Sequence, residues 1–180
     1  RAISMAVDRK VFADTVFLGA GVPIFGLVSP ANKRWYWTGT PAVPHDLDQA
    51  RKLLASIGVT DQHPGRFTIL TQKGKPSLER GVSVIRDELR KIGVTVDVVA
   101  LEGNAVIQQW VSGKYDAVYF NFFLSDTDPA LSVDFWMSSG GSHFWNREQT
   151  TPATEWEKKV DDLIRAQGIA QDGAERKRMF

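Results

Sequence analysis

The sequence has no cysteine, only 3 histidines and almost no excess of charge in its 180 residues. Without cysteine the chain has no disulfides, no thiolate metal ligands and no cysteine nucleophile. A net charge of +1 gives no indication of a basic surface for nucleic acids or anionic membranes, so we expect no nucleic-acid partner. No apolar run approaches the roughly 20 residues of a membrane-spanning helix. What remains is an ordinary globular composition, with 43% hydrophobic and 24% charged residues.

The signatures of nucleotide-binding and hydrolytic proteins are missing too. In GAGVPIFG, Ile24 occupies the place of the third glycine of a GxGxxG loop. In QKGKPS, Pro76 occupies the place of the serine or threonine of a phosphate-binding loop. No Gly-x-Ser-x-Gly nucleophile elbow is present, and His45, His63 and His143 lie in separate loops. The sequence therefore predicts a protein without a cofactor, a metal site or an enzymatic activity.

Apolar residues at spacings of three and four predict helices along much of the chain. Asp46, with Gln49 three residues later, is a capping-box signature, and it predicts a helix that ends at Gly58. Other helices are expected over residues 1–18, from Ser77 to Gly93, around 105–111 and from Thr151 and Pro152 onward. The short basic cluster 176–178 is expected on a solvated helix face.

Apolar stretches rich in β-branched and aromatic residues predict strands over residues 66–72, 94–101 and 115–123. The strands alternate with helices in the order β-α-β-α-β, which is typical of a parallel sheet. Ligands of such sheets bind beyond the carboxyl ends of the strands, where loops 73–77, 101–104 and 124–128 are expected to meet. The sequence thus predicts an α/β fold with a binding site at that edge.

The third of these loops lies within the most informative stretch, KYDAVYFNFFLSDTDPALSVDFWMSSGGSHFWN, at residues 114–146. Aromatic side chains offer a ligand a large contact area at little entropic cost, and Phe123, Trp136 and Trp145 are the candidates here. Asp128 followed by Pro129 predicts a helix start, because the carboxylate accepts hydrogen bonds from free backbone N–H groups. This mixture of rings and carboxylates predicts a binding surface.

Several interpretations of this stretch stay open. Asp126 in a partly dry cleft would hold an ammonium group of a ligand. Alternatively, Asp126 and Asp128 would ligate a divalent cation in an α/β transferase or hydrolase. The segment SSGGSHFWN is either a flexible surface loop or a source of hydrogen bonds to a ligand, with His143 and Asn146 as polar contacts. A third interpretation is an interaction domain that recognises another protein through exposed tryptophans.

The same stretch resembles the family 5 solute-binding proteins of ABC importers, which are the oligopeptide and dipeptide receptors. Two further segments resemble this family in the same order: RAISMAVDRKVFADTVFLGAG, and DLDQARKLLASIGV with the later helix IRDELRKIGVTVDVV. The resemblance implies a three-layer, type II periplasmic-binding-protein-like lobe, with a mainly parallel sheet of β-α-β-α-β order flanked by helices. Residues 1–180 would form a single domain, the second lobe of a two-lobed receptor whose other lobe is absent.

The resemblance also implies a function. The chain would belong to the extracytoplasmic substrate-binding component of an ABC importer, which captures a peptide-like or other small polar solute between two lobes. Its partners would be the solute, the transporter permease and the missing lobe. It would be periplasmic or extracellular, and held at the membrane only through the transporter.

The resemblance extends to single residues of the ligand site. Peptide-binding relatives have an aspartate for the ligand's amino terminus three residues before the acid of the acid-proline pair. That place is Ser125 here, one residue before Asp126, which departs from the peptide-binding pattern. Phe25 matches a family segment that approaches the ligand.

Overall fold

The computed structural model describes residues 1–121, 128–147 and 149–180, and its contacts divide the chain into two compact units. Unit 1 comprises Arg1–Phe25 and Pro41–Phe122, and unit 2 comprises Gly26–Thr40 and Phe123–Phe180. Residues 122–127 and 148 lie outside the described part of the chain. The single-domain organisation expected for residues 1–180 stays a prediction.

Among the described residues, unit 1 contains a three-stranded parallel sheet in the order β2-β1-β3. Its strands are β1 at Gly65–Gln72, β2 at Val94–Leu101 and β3 at Ala117–Val118. The register of β1 and β2 runs from Gly65 opposite Val94 to Gln72 opposite Leu101. On the other side of β1, Ile69 lies opposite Ala117. The parallel sheet and its alternation with helices confirm the prediction.

The third strand is shorter than the predicted 115–123. Before it, the carboxylate of Asp116 accepts a hydrogen bond from the Thr68 N–H at 2.9 Å, so a side chain replaces the backbone pairing with β1. After it, the Tyr119 N–H donates to the Leu70 carbonyl at 2.8 Å, which extends the pairing by one residue. The end of the predicted strand, from residue 122, lies outside the described residues.

The helix predicted over residues 1–18 is in fact two helices, α1 at Ala2–Ala6 and α2 at Arg9–Phe17. Asp8 separates them, because its backbone is extended and its carboxylate accepts hydrogen bonds from the N–H groups of Lys10 and Val11. A capping aspartate thus begins a new helix inside a continuous apolar pattern.

Two amphipathic helices, α3 at Leu47–Ala55 and α4 at Pro76–Arg90, contribute much of the unit 1 core. Asp46 caps α3, as predicted, by accepting a hydrogen bond from the Gln49 N–H at 2.8 Å. The core cluster contains Met5, Ala6, Ala50, Leu54, Ile69, Val82, Leu89, Ile92, Val94 and Val96. The helix predicted to end at Gly58 ends earlier, at Ala55, and Ile57 lies beyond its last turn with 75% of its surface exposed.

The loops after β1 and β2 meet at the carboxyl edge of the sheet. Lys73 forms an ion pair with Glu102 at 2.7 Å, just before α5 at Gly103–Val111 begins. Gly103 leaves room for the side chain of Gln72, whose Nε2 would lie 2.9 Å from a Cβ at this position. Two of the three loops expected at this edge are therefore neighbours. Most of the third, 124–127, lies outside the described residues.

Unit 2 contains a 3-10 turn at Pro129–Ser132 and the helices α6 at Val133–Trp136, α7 at Glu155–Ile169 and α8 at Gly173–Met179. The α7 helix begins after the predicted start at Thr151, because Thr154 is extended and its hydroxyl accepts a hydrogen bond from the Glu157 N–H at 3.3 Å. The interior of unit 2 is rich in polar side chains, and those that are at most 2% exposed are Ser138, His143, Glu157, Asp161 and Gln167. All of these except the Gln167 side chain lie within hydrogen-bond distance of a protein partner, so hydrogen bonds contribute to the internal organisation of unit 2.

Candidate functional site

The turn that follows residues 122–127 begins at Asp128, as predicted. Asp128 Oδ1 accepts a hydrogen bond from the Ala130 N–H at 2.9 Å, and Pro129 occupies the start of the turn. The same carboxylate accepts two hydrogen bonds from Arg176, Nη1 to Oδ2 at 2.8 Å and Nη2 to Oδ1 at 2.5 Å. The guanidinium, together with the Ala130 N–H, holds the pKa of Asp128 below its ordinary value.

These contacts change two expectations. The prediction that Arg176 lies on a solvated helix face is wrong, because its side chain is only 15% exposed and its Nε also donates to the Gln167 carbonyl at 3.0 Å. Asp128, considered with Asp126 as a metal ligand, already has both carboxylate oxygens bound by a cationic side chain. In the part of the chain that the structure describes, no cluster of three His, Asp or Glu side chains is arranged to hold a metal ion.

Three of the predicted site residues, Phe123, Ser125 and Asp126, lie outside the described residues. Phe25 belongs to unit 1, where its ring is 43% exposed and the Arg9 guanidinium lies 5.1 Å from its centre. Asn146 is exposed in unit 2, and its carbonyl accepts a hydrogen bond from Gln149 Nε2 at 2.8 Å. The ligand contacts expected of these five residues stay predictions.

The segment SSGGSHFWN is held in place by two aspartates. Ser138 donates to Asp161 from its N–H at 2.8 Å and from its hydroxyl at 2.7 Å. Asp134 accepts hydrogen bonds from the N–H groups of Gly141 and Ser142 at 2.8 and 2.9 Å. A hydrogen bond from the Ser142 side chain, with that from the Gly141 backbone, holds the pKa of Asp134 below its ordinary value. The segment is therefore ordered by hydrogen bonds within unit 2.

His143 lies in the interior of unit 2, with only 1% of its surface exposed. Its Nδ1 lies 3.2 Å from the Phe135 carbonyl oxygen, and its Nε2 lies 3.5 Å from Glu157 Oε1. Burial of Glu157 opposes its ionisation, but hydrogen bonds led by that from Gln149 outweigh this effect and lower its pKa. Both ring nitrogens of His143 thus face protein acceptors, and the contact expected between His143 and a ligand stays a prediction.

Trp136 and Trp145 lie at one cavity. The Phe135 ring packs against both, with centres 4.9 Å from Trp136 and 5.0 Å from Trp145. Both tryptophans line a cavity of about 1160 Å³, which we call the unit 2 cavity because all its lining residues belong to that unit. Its other aromatic lining residues are Trp35, Tyr36, Trp37, Trp156 and Phe180. The structure thus brings two of the predicted site residues together.

Sequence reasoning missed most of the lining of this cavity. Trp156, Val160, Leu163 and Ile164 share one face of α7 and all line the cavity, and the Trp156 side chain is 56% exposed. The packed face of α7 carries Glu157 and Asp161 instead, both buried and hydrogen-bonded. Because the polar face of α7 is the buried one, its apolar face can line a cavity.

The unit 2 cavity is largely apolar, and the charged side chains that line it are Lys159, Lys177 and Arg178. No aspartate or glutamate is found in its lining, as far as the described residues show. Lys177 Nζ donates to the Lys33 carbonyl at 3.3 Å. Its lining thus combines aromatic rings suited to stacking with cations suited to an anionic group.

Comparison with known proteins gives matches over most of the chain. A profile of the family described as "Bacterial extracellular solute-binding proteins, family 5 Middle" matches residues 1–144. The "Probable di/tripeptide-binding protein 5" of Pseudomonas aeruginosa is 27% identical over 133 residues, which are 72% of this chain and 24% of that protein. The chain thus spans about a quarter of the length of the curated relatives it matches, with 24% for NikA of Staphylococcus aureus as well.

Two solved structures are similar over 99% of this chain at 20% identity. One is NikA from Staphylococcus aureus in complex with Ni(L-His)2, with a TM-score of 0.81 and 36% of that chain covered. The other is the periplasmic binding protein MelB from Agrobacterium fabrum in complex with stachyose, with a TM-score of 0.83 and 30% covered. At this identity the likeness shows the fold alone, and it confirms the predicted α/β fold of type II periplasmic binding proteins, with its parallel sheet flanked by helices. None of the helices in the described ranges combines the length and the apolar composition that a membrane span requires.

Proposed function

Because the chain belongs to the bacterial extracellular solute-binding proteins of family 5, we propose that it is a ligand-binding lobe of the substrate-binding component of an ABC importer. The observation that carries this proposal is the unit 2 cavity, where Trp136 and Trp145 join further aromatic rings. Solute sites are concave, mostly apolar and equipped with a few polar groups, and a cavity of about 1160 Å³ has room for a small solute.

The remainder of the receptor would lie outside these 180 residues, since the chain spans about a quarter of its curated relatives. A second lobe would close over the bound solute about a hinge, and the transporter permease would recognise the closed form. We propose a periplasmic or extracellular location, with attachment to the membrane only through the transporter. The extracellular character of the family supports this location.

Capture of a solute makes and breaks no covalent bond, and we propose that the chain is not an enzyme. The alternative, a metal-dependent transferase or hydrolase that uses Asp126 and Asp128, needs Asp128 to be free for a cation. Its carboxylate is instead bound by Arg176 and by the Ala130 N–H. The family match, which is to substrate-binding proteins, also argues against a catalytic role.

The proposed solute is a peptide-like or other small polar molecule. The relatives are named for widely different ligands, from di/tripeptides to stachyose and Ni(L-His)2, so family membership leaves the ligand of this chain open. Ser125 occupies the place of the aspartate that meets a peptide's amino terminus, which argues against free peptides. Asp126, one residue later, is proposed to contact a cationic group if the solute has one.

Native mass spectrometry of the complete receptor, the polypeptide with both proposed lobes, tests this function. We expect one small molecule bound per receptor after gentle purification. Calorimetry with that molecule then compares the wild type with Asp126→Ala, which should bind an amine-bearing solute at least about tenfold more weakly. A receptor that carries no solute and binds none from a library of peptides, sugars and metal chelates would contradict the proposal.

A further inference from the structure

Three tryptophans of unit 2 expose about half of their surface around one cavity. Trp37, Trp145 and Trp156 are 65%, 46% and 56% exposed, and all three line the unit 2 cavity. Single exposed apolar residues are common on proteins, but several large rings around one concavity mark a surface that binds another molecule. A ligand of this cavity must therefore offer a surface that packs against indole rings.

The charge around the cavity is the second property. On α7, Lys158 forms an ion pair with Asp162 at 3.2 Å and lies outside the lining, whereas its neighbour Lys159 lines the cavity. On α8, Arg176 forms an ion pair with Asp128, whereas Arg178 lines the cavity. Neither Lys159 nor Arg178 has an ion-pair partner within the ranges described. Both cations are thus available to a ligand.

Such a lining complements a ligand that has a flat ring and a negative charge. A flat apolar ring gains contact area by stacking on indoles, which lose little rotamer entropy. A carboxylate, sulfonate or phosphate group would accept charge-assisted hydrogen bonds from Lys159 and Arg178. A cationic ligand would meet like charges, with no carboxylate side chain in the described lining to offset them. The volume of about 1160 Å³ admits a body of more than one ring.

We propose that the unit 2 cavity binds an organic anion with a flat, apolar ring body. This inference rests on the proposed function, because it takes the cavity to be a solute site of the receptor. It goes further by naming the chemical class of the solute, and by assigning Lys159 and Arg178 to the selection of its charge. Trp145 and Trp156 provide the stacking surface.

Two matched dyes test the proposal on the complete receptor, because they share a ring body and differ in charge. We expect anionic 8-anilinonaphthalene-1-sulfonate to bind saturably, one per receptor, and at least about tenfold more tightly than neutral N-phenyl-1-naphthylamine. Lys159→Glu and Arg178→Glu should each weaken the anionic dye at least about tenfold, whereas the control Lys158→Glu leaves it unchanged. Trp156→Ala should weaken both dyes, and Trp110→Ala, in unit 1, should weaken neither.

Three results would overturn the proposal. If both dyes bound with equal affinity, and if Lys159→Glu and Arg178→Glu left that affinity unchanged, the cavity would be an apolar surface that does not select its ligand by charge. No saturable binding of either dye would mean that another part of the receptor, or a second copy, covers the cavity. Circular dichroism checks that each variant folds. If Lys159→Glu does not fold, Lys159→Gln, which removes the charge without reversing it, takes its place. A receptor that holds a neutral or cationic solute in this cavity would keep the proposed function and refute only the anion, whereas a receptor that binds neither solute nor dye would refute both.

Discussion

Arg176 in α8 binds both carboxylate oxygens of Asp128, with hydrogen bonds of 2.8 and 2.5 Å between residues 48 positions apart in the sequence. Its guanidinium also lies 5.3 Å from the centre of the Trp35 ring, which lines the unit 2 cavity. The pair therefore joins α8 to the turn that starts directly after residues 122–127. It fixes Asp128, the last residue of the predicted ligand loop 124–128.

Asp128→Asn should remove the ion pair and keep the cap of the turn, because asparagine also accepts a hydrogen bond there. The guanidinium lowers the pKa of Asp128 in the folded state below its ordinary 3.8. The pair therefore contributes stability above that pH, and the contribution is lost as the pH falls through the folded pKa. Thermal unfolding should give a Tm roughly a few degrees higher for the wild type than for Asp128→Asn near neutral pH, with a smaller difference below about pH 4.

Asp162→Asn is the matched control, because the Asp162 side chain is 57% exposed and its pair with Lys158 lies on the surface of the same unit. Exposed pairs of this kind contribute little, so its Tm should stay close to that of the wild type. If the difference between the wild type and Asp128→Asn were the same at low and at neutral pH, the ion pair would not be its source.

Gly140→Ala should lower the free energy of unfolding by roughly 1–3 kcal/mol, because overpacking is costly. A Cβ at residue 140 would overlap the carbonyl oxygen of Asp134. Gly141→Ala is the control, since its Cβ would lie 3.7 Å from Asp134 Oδ1, an ordinary contact. Urea unfolding followed by tryptophan fluorescence measures both variants. Equal stabilities would contradict the close approach of the two backbone segments.

Much of unit 1 was predictable because its signals are local. The second strand, predicted over 94–101, is found at Val94–Leu101, and the α3 cap follows from Asp46 and Gln49. The break at Asp8 was missed because a continuous apolar pattern concealed a local cap. The pairing of Arg176 with Asp128 was not predictable, since nothing in either neighbourhood identifies a partner 48 residues away.

The candidate site was predictable only in part. The small and polar residues beside Trp136 and Trp145 predict that both reach a binding site, and both line the unit 2 cavity. The spacing of Trp156 and Leu163 predicts that they share one helix face, but periodicity cannot say whether that face is buried or lines a cavity. On α7 the buried face includes Asp161, whose partner Ser138 lies on another segment. Hydrogen bonds to another segment thus hold the polar face of α7 in the interior, and the apolar face lines the cavity.

Ser138→Ala should also destabilise unit 2. The substitution removes the hydroxyl that donates to Asp161 at 2.7 Å, and it leaves a buried carboxylate oxygen short of a hydrogen bond. Such a loss costs roughly 1–3 kcal/mol, whereas Ser139→Ala, at an exposed neighbour, should cost less than about 0.5 kcal/mol. Chemical denaturation of the two variants gives the comparison. A Ser138→Ala protein as stable as the Ser139→Ala protein would show that the Asp161 contact contributes nothing.

Calorimetric titration of the complete receptor with the solute that co-purifies with it tests the claim that the rings of the unit 2 cavity hold the ligand. We predict one-to-one binding that Trp145→Ala weakens at least about tenfold and that Trp110→Ala, whose ring packs against Phe120 in unit 1, leaves unchanged. Undiminished affinity in Trp145→Ala, or equal losses in both variants, would contradict the claim.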